Sequence, residues 1–213
     1  MKQNERMERS RGGATDESPP PAGRLGPASG ASARAVAARV LIRPARPDDL
    51  EEATRLERRV WGGLAATLNE LQRRLFALPE AFLLAELRRA EGAPRIVGMT
   101  NGLLWTRDFP RSYLEYERMV PSSSHNPRGD VLYLASIGVD EALRGRGIGL
   151  TLLKATIEVG RKRHLKYSRL IANQRSRALC ARAGFEAVRP LPRLYREHRK
   201  VMPQPLLMEI PLL

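Results

Sequence analysis

Residues 144–149, RGRGIG, lie between an almost unbroken apolar run at 131–139, VLYLASIGV, and an amphipathic segment at about 150–164. Apolar residues at successive positions are typical of a strand inside a sheet that is covered on both faces. A strand, a glycine-rich turn and a helix in this order direct backbone N–H groups and a helix N-terminus at a bound phosphate. Residues 144–149, which we call the cradle, therefore predict a phosphate site, and Arg144 and Arg146 add positive charge to it.

The glycine spacing of the cradle argues against two kinds of nucleotide site. A P-loop requires Gly-Lys-Ser/Thr at the helix entrance, but no lysine follows Gly147 until Lys154. A dinucleotide fingerprint requires Gly-x-Gly-x-x-Gly, and counting from Gly145 places Leu150 at the last position. Neither an ATP site nor a dinucleotide site of these types is predicted.

The remaining pattern is Arg-x-x-Gly-x-Gly after a buried strand, with Arg144, Gly147 and Gly149 at its fixed places. This pattern resembles the acyl-CoA signature Gln/Arg-x-x-Gly-x-Gly/Ala of the GCN5-related N-acetyltransferase (GNAT) superfamily. Three further segments look like family elements in the right order: a first strand and helix cap at 40–50, a strand ending in asparagine at 169–173, and a helix ending in Gly184-Phe185 at 177–185. The resemblance covers roughly residues 39–211.

The resemblance implies a mixed α/β fold, the GNAT fold. Its twisted, mostly antiparallel sheet of about six to seven strands is splayed at a central parallel pair, with helices on both faces. Hydrophobic spacing and capping residues predict two helices near the start of this domain, from Asp48 or Asp49 to about Val60 and from Thr67 through Leu78. Segments rich in apolar residues and bounded by turn-forming residues predict strands at 82–87, 95–105 and 206–210. We expect residues 39–213 to form the N-acetyltransferase domain.

Residues 1–38 are rich in Gly, Pro, Ser, Ala and Arg and have almost no large apolar side chains. Such a segment buries too little apolar surface to offset the entropy of ordering, so we predict a disordered tail. The tail is either an interaction arm or a simple extension of the chain, and the extension is the favoured interpretation.

The composition also predicts the cellular compartment of the protein. A single cysteine, Cys180, excludes an internal disulfide and is typical of a reducing cytoplasm. No segment approaches the length of an apolar membrane span, and the first residues lack the apolar core of a secretory signal. We therefore expect a cytoplasmic protein that does not contact membranes.

The net charge of +14 is concentrated at and after the cradle. Residues 141–200 contain 16 Lys and Arg against 4 Asp and Glu, which is +12 of the total. Such a field would steer a polyanion such as CoA towards the cradle, although nucleic acid or ribosome contact and a merely solvated basic face remain alternatives. Without a zinc-ligand cluster or a basic patch interleaved with aromatic residues, nucleic acid is the less favoured partner.

The resemblance implies transfer of an acetyl group from acetyl-CoA to a primary amine, of a small molecule or a protein, by direct attack within a ternary complex and without a metal. In the family, backbone groups of the strand before the cradle bind the pantetheine arm, the cradle binds the pyrophosphate, and an asparagine on the next strand contacts the arm. Here Asn173 matches that asparagine, with a turn-forming role as its alternative. The implied cofactor-binding residues are Ile137, Val139, Arg144, Gly145, Arg146, Gly147, Ile148, Gly149 and Asn173.

The implied general acid departs from the family pattern. A tyrosine often follows the leucine of the helix before Gly-Phe, and this chain has Cys180 at that position. Cys180 either protonates the leaving thiolate or fills space as a small buried hydrophobe. Tyr133 and Tyr195 are alternative acids.

Candidate general bases lie in or beside the irregular stretch 106–130. The resemblance implies that this stretch is a lid or a wall of the acceptor site, and a surface insertion without a function is its alternative. The candidate bases are Glu115, Glu117 and His125, and histidine has the intrinsic pKa that suits proton transfer at neutral pH. Glu57 on the first helix is a further candidate, and a solvated surface charge is its simpler interpretation. Two other functions stay open: an acyl-CoA-binding sensor or scaffold with weak catalysis, and a basic RNA-associated or ribosome-associated protein. A homodimer is also left open.

Overall fold

The computed structural model describes residues 39–89, 92–110 and 121–213. The predicted tail at 1–38 and the candidate bases Glu115 and Glu117 lie outside the described residues. The described strands form one seven-stranded sheet with the order β1-β2-β3-β4-β5-β7-β6. Its strands are β1 (Arg39–Pro44), β2 (Leu83–Arg88), β3 (Arg95–Trp105), β4 (Val131–Val139), β5 (Tyr167–Ala172), β6 (Glu186–Pro190) and β7 (Leu206–Pro211). The α-helices are α1 (Leu50–Trp61), α2 (Leu68–Ala77), α3 (Ile148–Lys162) and α4 (Arg177–Arg182).

The sheet is antiparallel at every pair except the central one. Strands β4 and β5 are parallel, and α3 is the crossover that a parallel pair requires. Their pairing ends at Leu134 and Leu170, although β4 continues to Val139 against β3 and β5 continues to Ala172 against β7. The two strands therefore separate in the direction of the cradle. This is the sheet that the resemblance implies, and the predicted fold class is confirmed.

The helices cover both faces of the sheet. Leu84 on β2 packs with the buried face of α1 and α2, while its neighbours Leu83 and Ala85 pack with α3. Successive side chains of a strand point to opposite faces, so α1 and α2 lie on one side and α3 on the other. A third cluster joins α3 and α4 to β4, β5 and β7.

The element boundaries follow local chemistry. The Thr67 side chain accepts the backbone N–H of Glu70 at 3.2 Å, which is the predicted start of α2. Helix α3 begins at Ile148, two residues earlier than predicted, because Gly147 takes a left-handed conformation immediately before it. Gly184 follows α4 with φ of +98° and Phe185 is buried, as the Gly-Phe pattern predicts.

Gly129 lies directly against the end of β3 and is the basis of a stability prediction. A Cβ at this position would overlap the carbonyl oxygen of Trp105 and lie 2.8 Å from the nitrogen of the same residue. Backbone atoms cannot rotate away as a side chain can, so we expect Gly129→Ala to lower the free energy of unfolding by about 2 kcal/mol. Urea denaturation measures this change.

Gly63→Ala is the matched control for this substitution. A Cβ at Gly63 meets nothing closer than 3.5 Å, where it contacts the His198 ring. We expect its unfolding midpoint to stay close to that of the unmodified protein. Equal shifts for the two alanine variants would contradict the backbone clash at Gly129.

Candidate functional site

A cavity of about 460 Å³ opens where β4 and β5 separate. Its wall is formed by the end of α1, the end of β4, the cradle and the start of α3, with residues of α4 and of the segment before β7 on the opposite side. Beyond Leu134, the edge of β4 that faces β5 is paired with no other strand of the described residues. The cavity therefore combines a glycine-rich turn with a free strand edge.

The cradle presents free donors at a helix N-terminus. Gly145 and Gly147 have φ of +78° and +82°, a conformation that glycine adopts without strain. Within the described part of the chain, the backbone N–H groups of residues 145–150 donate to no protein acceptor. Together with the dipole of the 15-residue helix α3, these donors favour an anion at this end of the cavity.

Gly149 serves a different purpose from the other two cradle glycines. A Cβ there would lie 3.3 Å from Cδ2 of Leu179 on α4 and 3.5 Å from Cγ2 of Val139. Glycine at this position therefore lets the first turn of α3 pack closely against α4 and the end of β4.

The two cradle arginines take different directions. The Nε of Arg144 donates to the carbonyl oxygen of Val139 at 3.2 Å, so this side chain folds back along β4 at the cavity. Arg146 instead lines a second cavity of about 470 Å³ beside β1 and β2. Other positive side chains that sequence reasoning did not assign line the main cavity: Arg175, Arg182 and Lys200. The charge concentration at 141–200 was their only signal in the sequence.

Asn173 lies in the cavity wall and also organises the turn that follows β5. Its Oδ1 accepts the backbone N–H of Ser176 at 2.9 Å, and its Nδ2 donates to the carbonyl oxygen of Val201 at 3.1 Å. The turn-forming role is therefore present, and a contact to the pantetheine arm stays a prediction. Most of the other implied cofactor-binding residues also line the cavity: Ile137, Val139, Arg144, Gly145, Gly147, Ile148 and Gly149.

Residues 48–185 match the family model described as the acetyltransferase (GNAT) family. The chain belongs to this family. The match includes β4, the cradle, α3 and the Gly184-Phe185 pair, which are the segments that carried the resemblance. A comparison with curated protein sequences gives no match.

Solved structures share the GNAT fold at low sequence identity. The loading GNATL domain of CurA from Lyngbya majuscula is 15% identical with a TM-score of 0.66, over 82% of this chain and 98% of that chain. The GphF GNAT-like decarboxylase, solved with isobutyryl-CoA, is 22% identical with a TM-score of 0.64, over 81% and 100%. The ribosomal-protein-S18-alanine N-acetyltransferase from Escherichia coli is 17% identical with a TM-score of 0.56, over 82% and 94%. At these identities the likeness shows the fold alone.

Neither a metal cluster nor a membrane-spanning helix is found in the described residues. They contain no group of three or more His, Cys, Asp or Glu side chains that could hold a metal ion. Among the helices of this part of the chain, none is long and apolar enough to cross a membrane.

Cys180, at the family's acid position, lies in the core of this GNAT domain. It is 1% exposed and packs in the cluster that joins α3, α4 and the sheet, whereas its neighbour Leu179 lines the cavity. Burial raises the pKa of the Cys180 thiol to about 12. A thiol with this pKa is a poor proton donor to a thiolate, so the structure favours the space-filling interpretation.

Cys180→Ala is expected to keep acetyl transfer within about threefold of the unmodified protein and to lower the free energy of unfolding by roughly 1 kcal/mol. The thiol should also resist iodoacetamide at pH 8 in the folded protein, because the reactive form is the thiolate. Mass spectrometry of the alkylated protein measures this resistance. A hundredfold loss of turnover without unfolding would instead support Cys180 as the acid.

The other candidate acids and the candidate base His125 lie in different surroundings. The Nδ1 of His125 accepts the N–H of Leu104, which pairs with Leu132 near the start of β4. Leu132 and Ile137, the nearest residue of β4 that lines the cavity, are five positions apart, about 17 Å of strand, and His125 is not part of the cavity lining, so the structure does not bring it to the cavity. The two tyrosines also lie outside its lining: Tyr133 stacks on Trp105 at 3.5 Å, and Tyr195 packs beside Leu191 and Leu194.

Glu57 is buried, which contradicts the interpretation of a solvated charge. The residue is 3% exposed, and its two carboxylate oxygens lie 2.8 and 3.1 Å from the donating Oγ of Ser136 on β4. The backbone N–H of Ala66 also donates to it. Burial raises the pKa of Glu57 above its ordinary value, although these hydrogen bonds and the nearby Arg74 oppose the increase.

Proposed function

We propose that this chain binds acetyl-CoA in the cavity at the splayed strands and transfers the acetyl group to a primary amine. The observation that carries the proposal is the set of cradle N–H groups without a protein acceptor beside an edge of β4 without a paired strand, both within residues 39–89, 92–110 and 121–213. Membership of the GNAT family supports the reaction type. The isobutyryl-CoA complex of the GphF decarboxylase supports the choice of ligand, because that protein shares the fold.

The cradle would hold the pyrophosphate. Several successive backbone N–H groups of the cradle are available as donors, and the dipole of α3 adds positive potential at the N-terminus of this helix. Arg175, Arg182 and Lys200 line the same cavity and would attract the remaining phosphate charge of CoA. Part of the positive charge of residues 141–200 would therefore serve to attract the phosphates of CoA.

The free edge of β4 would hold the pantetheine arm. Amide groups of the arm can hydrogen-bond an unpaired strand edge as an added strand does, and residues 135–139 offer such an edge. Ile137 and Val139 belong to this segment and line the cavity. Backbone N–H groups here would also stabilise the negative charge that develops on the thioester oxygen during attack.

The acceptor is an amine of a small molecule or of a protein, and we place the reaction in the cytoplasm because the lone cysteine suits a reducing compartment. The amine attacks the thioester carbon, the C–S bond breaks, and CoA leaves as the thiolate. Because this thiolate is a fair leaving group, the missing tyrosine at position 180 need not prevent turnover.

The test is release of free thiol from acetyl-CoA in the presence of a panel of amines: polyamines, amino acids, aminoglycosides, and peptides with free N-termini or lysines. We expect amine-dependent thiol release, with the acetylated amine identified by mass spectrometry. Tight acetyl-CoA binding with no release across the panel would favour the sensor or scaffold alternative. Failure to bind acetyl-CoA would overturn the proposal.

A further inference from the structure

Glu57 is a buried carboxylate without an ion-pair partner among the described residues. The nearby guanidinium of Arg74, on α2, bonds instead to Glu70 at 3.2 Å and to Oδ1 of Asn101 at 3.0 Å. The direct partners of Glu57 are therefore the Ser136 hydroxyl and the Ala66 N–H, which are neutral. Burying a carboxylate in this way disfavours folding, so packing gives no reason for its presence.

The Glu57 and Ser136 side chains lie directly behind the cavity wall. Val60 and Trp61 line the cavity and follow Glu57 by three and four positions on α1, which places all three on one side of the helix. On the other element, Gly138 lies two positions after Ser136, and therefore on the same face of β4, and it lines the cavity beside Val60. Both members of the pair thus adjoin the part of β4 where the proposed thioester would lie.

A buried amide group without a hydrogen-bond acceptor among the described residues, that of Asn101, lies beside Ser136. Asn101 on β3 is the register partner of Ser136, and paired residues of an antiparallel ladder project from the same face. Asn101 is fully buried, and its Nδ2 has no partner among the described residues. A buried donor without a partner is expected to be satisfied by a polar occupant such as a water or a ligand group.

We propose that Ser136 and Glu57 form a relay that removes a proton from the acceptor ammonium. Ser136 is the catalytic residue, because its Oγ receives the N–H proton while its own hydroxyl proton passes to the Glu57 carboxylate. The neutral amine then attacks the thioester, and its second N–H proton goes to the departing CoA thiolate. Glu57 returns its proton to solvent, so the products are the amide, CoA thiol and one released proton. This inference rests on the proposed function.

The charged and titratable neighbours determine the sign of the pH dependence. Arg74 faces the pair from α2, with Glu70 bonded to it, and Tyr195 approaches Arg74 from the segment before β7. Arg74 favours the ionised form of Glu57, but burial outweighs it and raises the pKa of Glu57. Because the relay requires the carboxylate, activity should be lost as the pH falls through this raised pKa.

Glu57→Gln tests the relay without removing its hydrogen bond, since the glutamine oxygen can still accept from Ser136. We expect kcat to fall at least about 100-fold, with an unchanged Kd for acetyl-CoA and loss of the acidic limb from the pH profile of kcat/KM. The melting temperature should be equal or higher, since no charge is buried. Ser136→Ala should reproduce the loss of kcat, and Ser136→Thr, which retains a hydroxyl, should restore part of it.

Glu52→Gln is the matched control, because Glu52 lies on the same helix and accepts the backbone N–H of Ile96 at 2.9 Å away from the cavity. Its kcat and pH profile should match those of the unmodified protein. Full activity of Glu57→Gln with an unaltered pH profile would overturn the relay and leave the proposed function intact. If the unmodified protein acetylates no amine although it binds acetyl-CoA, the proposed function fails and the relay fails with it.

Discussion

Gly147→Asp is expected to weaken acetyl-CoA binding at least about 100-fold more than Gly147→Asn does. Gly147 has φ of +82°, and a Cβ there meets nothing within 4 Å, so the site has room for either side chain. Asn and Asp are the non-glycine residues that tolerate this conformation best. The two variants have nearly the same shape and differ by one negative charge at the free N–H groups of the cradle.

The size of this difference follows from electrostatics. A carboxylate about 4 Å from one phosphate charge costs about 4 kcal/mol at the effective dielectric of a protein surface, which is about a thousandfold in affinity. The same carboxylate can also cap α3, so the aspartate variant should remain folded. Calorimetric titration with acetyl-CoA measures the two dissociation constants, and added salt should narrow their difference. Equal affinities for the two variants would place the phosphates away from the cradle.

Arg169→Met is expected to lower the free energy of unfolding by about 3 kcal/mol. Arg169 on β5 is 7% exposed, and its Nη2 lies 2.6 Å from Oε2 of Glu209 on β7. Its Nη1 donates at 3.2 Å to the carbonyl oxygens of Arg107 and Phe109 in the segment that follows β3. Methionine fills a similar volume but leaves a buried carboxylate and two carbonyl groups without this donor.

Arg107→Met provides the matched control, because Arg107 also pairs with Glu209, at 3.2 Å, but is about half exposed. An exposed pair contributes little, and we expect a loss below about 1 kcal/mol even though Arg107 also lies over the Tyr167 ring. The double variant Arg169→Met/Glu209→Gln should recover part of the stability, since the carboxylate charge is then removed and Arg107, which loses its partner, is exposed enough to stay hydrated. Urea denaturation provides all three values. Equal losses for the two single methionine variants would contradict the role of burial.

The elements with strong local signals could be predicted from the sequence. The apolar run at 131–139 is β4 with the predicted bounds, and Thr67 caps α2 as its spacing with Glu70 indicates. The cradle also takes the strand–turn–helix form, because its glycines provide the left-handed conformations that the turn requires. Here the local sequence alone determines the backbone.

Side-chain direction and long-range partners could not be predicted in the same way. Arg146 lies between two glycines with positive φ, and such a backbone gives no simple rule for where its side chain points. Arg175, Arg182 and Lys200 reach the cavity from segments far along the chain, which only the tertiary fold brings together. The position of Cys180 could be assigned from the family pattern, but its burial depends on how α4 packs.

The position of Glu57 on α1 indicates burial, whereas its charge predicts exposure. It lies four residues after Ala53 and three before Val60, within the apolar stripe of α1. Charge normally predicts exposure, and that rule was wrong here because Ser136 and the Ala66 N–H hydrogen-bond the buried carboxylate. A charged residue inside an apolar stripe therefore indicates a buried charge whose hydrogen-bond partners have to be found in the tertiary structure.

A crystal structure with acetyl-CoA bound tests the central claim most directly. We expect pyrophosphate oxygens within about 3.2 Å of backbone nitrogens at 145–149, and the pantetheine arm along residues 135–139 of β4. The thioester should then lie beside Ile137, next to Ser136. A ligand bound in the second cavity at Arg146, with the cradle N–H groups bonded only to water, would contradict the assignment of the cradle as the pyrophosphate site.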